Sequence, residues 1–217
     1  MASVREYGHF CPAARALEVV GERWTLLIVR DLLAGEQRFS DLERSLGGIA
    51  PKQLTLRLRE LEAQGILVRD QQAGRREVRY RLTDAGRELA PIVDALTAWG
   101  VRHVARPPRP GEQIYPRHLL NGIAATLNGL GATLPVPRAW TLRFVPEGAF
   151  ALSFDGARWA VAPGEGDGSV EVQTTPEALA GFVAAAKSER RLPSDSIGVE
   201  GDPGAIAELR AVFGAGS

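Results

Sequence analysis

Cysteine occurs once in the 217 residues, at Cys11, which excludes an intrachain disulfide and a zinc site built on cysteines. Histidine occurs three times, at His9, His103 and His118, without metal-ligand spacing. No apolar run approaches the roughly 20 residues a membrane-spanning helix needs, and the first residues carry no apolar signal core. The expectation is therefore a cytoplasmic protein with no membrane partner. A glycine-rich phosphate loop, a Gly-x-Ser-x-Gly elbow and a paired-carboxylate signature are all missing. The chain thus reads as a non-enzyme, with no catalytic residue, no metal and no cofactor. Net charge is also missing, with 26 basic against 26 acidic residues. That balance conceals two unlike halves. Residues 1–110 hold 18 basic and 14 acidic side chains, whereas residues 111–217 hold 8 and 12. Only the front half suits a polyanion.

Composition is otherwise that of a globular protein, 45% apolar and 24% charged, and the length suits one large or two small domains. In the front half, "CPAARALEVVGERWTLLIVRDLLAG" reads as two helices. Pro12 suits a first turn, Gly21 is an interruption, and Leu27, Ile28 and Leu32 recur at helical spacing. "SDLERSLGG" begins with Ser40 and has Glu43 three residues on, a capping box. A fourth helix runs from about Pro51 to Gln64, with Gly65 just beyond. "ILVRD" and "VRYRL" read as strands joined by the polar tip "QQAGRRE". Thr83 can cap a long closing helix, which Pro91 should kink or restart. Four prolines within 105–116 mark a linker. Beyond it come a helix, four short strands in an antiparallel meander, a helix opening at Thr175-Pro176, another strand and a last helix. The predicted fold class is α+β, with a winged helix-turn-helix over 1–106, a proline-rich linker over 107–116 and a second α+β domain over 117–217. Its antiparallel sheet is covered by helices.

Helical geometry divides the fourth helix by face. Leu54, Leu58 and Leu61 share one side, while Lys52, Leu56 and Arg59 lie opposite, with Gln53 and Thr55 to either side. A recognition helix presents such side chains to base edges in the major groove. Arg57 on the flank suits a phosphate. Arg75 and Arg76 at the wing tip and Arg79 on the returning strand suit phosphates or a minor groove. With Arg38, these are the candidate contacts to double-stranded DNA. Basic residues on an outer helix face are commonly just solvated surface. The order short helix, turn, polar-faced helix and basic hairpin is what tips the reading towards DNA.

These residues carry a resemblance. Cys11-Pro12, Gly21-x-x-Trp24, Arg38-Phe39-x-x-Leu42, Gly48-Ile49 followed by Leu54-x-x-Arg57-Leu58, Tyr80-x-Leu82-Thr83-x-x-Gly86 and the late Trp99 together resemble the HxlR-type bacterial transcriptional regulators over residues 8–104. The resemblance implies a homodimer formed through the first and last helices of this domain, bound to a pseudo-palindromic operator. It departs from the family at Ala50, where a serine commonly precedes the recognition helix, and in a wing that lacks the usual proline. In that family a cysteine at the position of Cys11 can sense oxidants or electrophiles, and a thiol at a helix start meets the positive end of the helix dipole. A small buried apolar role is the plainer alternative for Cys11.

The back half, with "VEVQTTPEALAGFVAAAK" and Gly201-Asp202-Pro203 before a final apolar helix, is similar to sterol-carrier-protein-type domains over residues 115–214. That resemblance implies a cavity for a small hydrophobic ligand. Trp140, Phe144, Phe154, Trp159 and Phe182 are its candidate lining, against the alternative that aromatics simply fill a core. The combined expectation is a dimeric DNA-binding regulator, a repressor relieved by a small hydrophobic effector. The alternatives are a redox regulator acting through Cys11, and a hydrophobic-ligand carrier whose winged helix mediates protein contacts.

Overall fold

The computed structural model describes residues 6–70, 77–185 and 197–213. Its backbone contacts divide the chain into two units, Met1–Val93 and Asp94–Ser217.

In the first unit, α1 (Pro12–Val20) and α2 (Thr25–Leu33) are followed by the short strand β1 (Gln37–Arg38), α3 (Phe39–Leu46) and α4 (Pro51–Ala63). Strands β2 (Leu67–Asp70) and β3 (Arg79–Leu82) form the wing hairpin, and β1 pairs antiparallel on the far side of β3. An apolar cluster holds α2, α3, α4, β2 and β3 together, with Ile28, Leu42, Leu54, Leu58, Leu61 and Leu67 at its centre. Burial at three- and four-residue intervals on α2 and α4 is the reason these segments are helical here, since propensity alone does not hold helices this short. Asp31 of α2, 1% exposed, accepts from the hydroxyl of Ser45 on α3 and from Arg30 Nε at 3.0 Å. A buried carboxylate so partnered links two helices of the unit.

One local expectation is corrected and another is met. The third helix begins at Phe39 rather than after a Ser40 cap. Its N-cap is Arg38, whose backbone N–H donates to Asp41 at 3.4 Å. Pairing with β3 holds Arg38 extended, so helical geometry can start only at the next residue. The long closing helix is two. Thr83 Oγ1 caps α5 (Asp84–Arg87) through Gly86 N at 3.1 Å, and α6 (Ala90–His103) restarts at Pro91, where a missing N–H costs nothing. Gly86 is required for packing: a Cβ there would lie 2.1 Å from the Ile66 carbonyl oxygen.

The second unit takes the chain from Asp94 on α6 through α7 (Pro116–Gly129) into β4 (Arg138–Phe144), β5 (Gly148–Phe154), β6 (Trp159–Pro163) and β7 (Val170–Thr174). Helix α8 (Pro176–Ala185), β8 (Ile197–Gly201) and α9 (Pro203–Val212) follow. The sheet order is β6-β5-β4-β7-β8. It is not wholly antiparallel, because β7 lies parallel to β4, with Leu142 opposite Val172. After β6 the chain crosses the outer face of β4 to reach its other side. There Gly166 N donates to Thr141 Oγ1 at 2.9 Å, and Asp167 Oδ2 accepts from Ala139 N at 2.9 Å. A Cβ at Gly166 would sit 1.8 Å from the Ala139 carbonyl oxygen, so only glycine permits that crossing.

The core lies on the opposite face, where Trp140, Leu142, Phe144, Leu152 and Phe154 are sealed under Leu120, Ile123 and Leu127 of α7. Asn128 of α7 reaches the start of edge strand β6, donating to the Trp159 carbonyl at 2.9 Å and accepting from its N–H at 2.7 Å. One side chain thus occupies the place of a neighbouring strand. Between α6 and α7, Glu112 accepts from the guanidinium of Arg106 and, at 2.8 Å, from the N–H of Arg109. The proline-rich connection therefore contains an ordered turn. The Arg106 guanidinium, followed by the Arg109 amide, holds the Glu112 carboxyl down to about 2.

Candidate nucleic-acid interface

Helix α4 follows the short turn Gly47–Ala50 and starts at Pro51 without a side-chain cap, because Ala50 offers no oxygen. Its inner face is closed: Leu54, Leu58 and Leu61 are at most 2% exposed. Its outer face is open. Lys52, Gln53, Leu56 and Arg59 are exposed, and among the described residues no ion pair at 4.0 Å or less engages Lys52 or Arg59. Leu56 stands 45% exposed among these polar neighbours, an apolar tip of the kind that fits a thymine methyl. Thr55 is half-buried and donates its hydroxyl back to the Pro51 carbonyl at 2.9 Å, which leaves its oxygen lone pairs as acceptors.

Arg57 is placed differently from the phosphate contact expected of it. Its guanidinium lies 2.7 Å from Glu60 and 3.3 Å from Glu22, with the side chain only 16% exposed. The flank position turns it inward along the helix surface, where it ties α4 to the connection between α1 and α2.

On the wing, Arg38 and Arg79 are direct cross-strand partners, and both are paired with carboxylates. Arg38 Nη2 lies 2.6 Å from Glu77, and Arg79 Nη1 lies 3.1 Å from Glu36. Arg75 and Arg76 lie outside the described residues. The candidates on α4 other than Arg57 therefore share one open face, while Arg57 and those at the base of the wing are engaged within the unit. Reading basic residues singly misses Glu22, Glu36, Glu60 and Glu77. The repeated Glu-x-Arg at 36–38 and 77–79 was the available signal, since alternate residues of a strand share a face.

Further apolar surface is exposed outside α4 and the wing. Ile92, Leu96 and Trp99 of α6 recur at helical spacing and are all about half exposed, with His103 stacked 5.2 Å from the Trp99 ring. On α1, Leu17 is likewise exposed, and Cys11 stands exposed at the N-cap. In the second unit, Val101, Ile123, Leu127, Leu130, Phe182 and Phe213 line a half-open apolar pocket. Of the five aromatics expected to line a cavity, Phe182 does so. Trp140, Phe144, Phe154 and Trp159 are 0–2% exposed and fill the core, stacked on one another at 5.2–5.4 Å where Trp159 meets Trp140 and Phe154. They alternate onto the packed face of the sheet, whereas the pocket is lined from helices α6 to α9 and the residue that ends α9. Among the described residues, no group of three His, Cys, Asp or Glu side chains could hold a metal. No helix among them is long and apolar enough to cross a membrane.

The model of the HxlR-like helix-turn-helix family matches residues 19–107. An uncharacterized HTH-type transcriptional regulator of Synechocystis sp. is 38% identical over 96 residues, 44% of this chain and 71% of its own length. YvaP of Bacillus subtilis, described in the same words, is 38% identical over 96 residues, 43% of this chain and 89% of its own. A third such regulator, from Mycobacterium tuberculosis, is 45% identical over 97 residues, 44% of this chain and 61% of its own. The matched stretch takes in every element of the first unit from α2 onward, together with the whole of α6.

Proposed function

Because this chain belongs to the HxlR-like helix-turn-helix family and is a transcriptional regulator of that type, we propose that it binds a pseudo-palindromic DNA operator as a homodimer and represses transcription there. The observation that carries the reading is the division of α4. One face is locked into the core by three leucines, and the other offers Lys52, Gln53, Leu56 and Arg59 to solvent. Lysine and arginine donate to guanine, glutamine pairs with adenine, and the leucine meets thymine, so the open face has the chemistry of base readout. The exposed apolar row on α6 and the exposed Leu17 on α1 support a dimer, since exposed apolar surface of this kind marks a protein contact. This division of labour treats residues 1–106 as the DNA-binding and dimerising domain, 107–116 as the linker and 117–217 as a sterol-carrier-type domain. The family match ending at 107 supports the first boundary. The apolar pocket supports a small hydrophobic effector that biases the dimer between DNA-competent and incompetent forms.

A titration of the full chain against DNA duplexes over a range of salt tests the reading. Binding should fall steeply with salt, and Lys52→Ala with Arg59→Ala should weaken it by about 1–3 kcal/mol for each side chain that reads a base. Absent or salt-insensitive binding overturns it, and leaves a hydrophobic-ligand carrier whose winged helix makes protein contacts. A second reading, response to oxidants or electrophiles through Cys11, is favoured by the exposure of that thiol at the start of α1. It requires that Cys11→Ser abolish any oxidant-induced change in duplex affinity.

A further inference from the structure

Four charged residues at the base of the wing form two reciprocal pairs. Antiparallel pairing sets Arg38 of β1 opposite Arg79 of β3. A glutamate stands two residues before each arginine, at Glu36 and Glu77, just ahead of β1 and of β3. The diagonal separation is within reach of long side chains, and each glutamate meets the arginine of the other strand: Arg38–Glu77 at 2.6 Å and Arg79–Glu36 at 3.1 Å. The glutamates are each 46% exposed, and the arginines 44% and 31%. Ion pairs this open contribute little to folding, so a clamp for the wing is a poor account of them. Arg79 is also an incomplete clamp, because its Nε is buried without an acceptor among the described residues.

We infer that Glu36 and Glu77 set the discrimination of this protein between its operator and other DNA, by occupying the two wing guanidiniums that would otherwise bind any phosphate. Resting on the duplex-binding reading above, this discrimination works by competition. Non-specific binding is phosphate neutralisation, and a guanidinium already facing a carboxylate releases no counterion from the duplex. A phosphate approaching Arg38 or Arg79 must displace a glutamate and then tolerate that freed carboxylate beside it. Only where α4 docks in register on its base edges is there binding energy to make the exchange. Arg38 and Arg79 are therefore silent on random DNA and engaged on the operator. Specificity here comes from penalising the wrong partner.

The test compares the wild-type full chain with E36Q/E77Q, R38Q/R79Q and the quadruple variant on a random-sequence duplex titrated with KCl. E36Q/E77Q should bind about tenfold more tightly at low salt, and its log K against log salt slope should steepen by about 1–2, as expected for one or two added phosphate contacts. R38Q/R79Q alone should stay within about twofold of the wild type, and the quadruple variant should lose the whole gain. The control E147Q/E177Q removes the same charge from exposed positions of the second unit and should reproduce neither the tightening nor the steeper slope. An E36Q/E77Q affinity and slope equal to the wild type's, or weaker binding, overturns the inference. Equal tightening by the control, which would show a bulk charge effect, also overturns it. If E36Q/E77Q shows no cooperative thermal unfolding, E36Q and E77Q singly decide the matter, each expected to tighten binding about threefold. A wild type that binds no duplex instead refutes the DNA reading itself, an outcome distinct from a wild type that binds but does not respond to the glutamates.

Discussion

At the scale of single residues, charge alone did not identify function; what each charge faces did. Arg57 and Arg59 stand two positions apart on α4. Arg59 points to solvent, whereas Arg57 lies within 2.7 Å of Glu60. Arg57→Ala should accordingly lower thermal stability more than Arg59→Ala, and Arg59→Ala should lower duplex affinity more. Paired melting and binding measurements on the two variants check this crossing of effects. Asp31 gives a second case. Its carboxylate is 1% exposed and accepts from Ser45 and Arg30, so Asp31→Ala should cost about 1–3 kcal/mol by removing the acceptor that links α2 to α3. Urea denaturation reads that loss directly. The inner face of α4 was legible from periodicity, because burial of Leu54, Leu58 and Leu61 is what makes the helix. The Glu-x-Arg repeat at 36–38 and 77–79 hints at the wing pairs, whereas the meeting of Arg57 with Glu22, far apart in the chain, leaves no such trace.

At the scale of elements, the order of helices and strands followed closely from punctuation by Gly, Pro and cap residues. Thr83 does cap a helix, and Pro91 does restart one. Strand direction escaped the sequence, because β7 is placed parallel to β4 by a crossing loop. Nothing in the alternation of "VEVQTT" distinguishes a parallel neighbour from an antiparallel one. Two predictions belong here. Gly86→Ala should destabilise the first unit by about 2 kcal/mol or more, since the added methyl meets the Ile66 carbonyl that also accepts from Thr83; thermal unfolding measures it. The turn closed by Arg106 and Glu112 should withstand acid. A carboxyl held below its ordinary value near 4.5 contributes stability above that value, and loses it only as pH falls through about 2. An NMR titration of Glu112 should find its midpoint well below the ordinary glutamate value near 4.5.

At the scale of the whole molecule, one helix carries features of both halves. Helix α6 lies within the family's matched stretch, bears the exposed row Ile92, Leu96 and Trp99, and contributes Val101 to the pocket of the second unit. If that row joins two copies, Leu96→Glu with Trp99→Glu should yield a monomer by analytical ultracentrifugation, with duplex affinity falling because a single half-site remains. By itself the sequence determined the winged helix, the division of α4 into core and open faces, and the presence of two unlike halves. Each of these is a local matter of periodicity, capping and composition, in which neighbours in the chain are neighbours in space. Tertiary structure alone decided which arginines are already paired, which aromatics fill the second core and which face a pocket, and that the sheet mixes parallel with antiparallel strands. Those outcomes depend on residues far apart in the chain, and a linear pattern carries no record of which of them will meet.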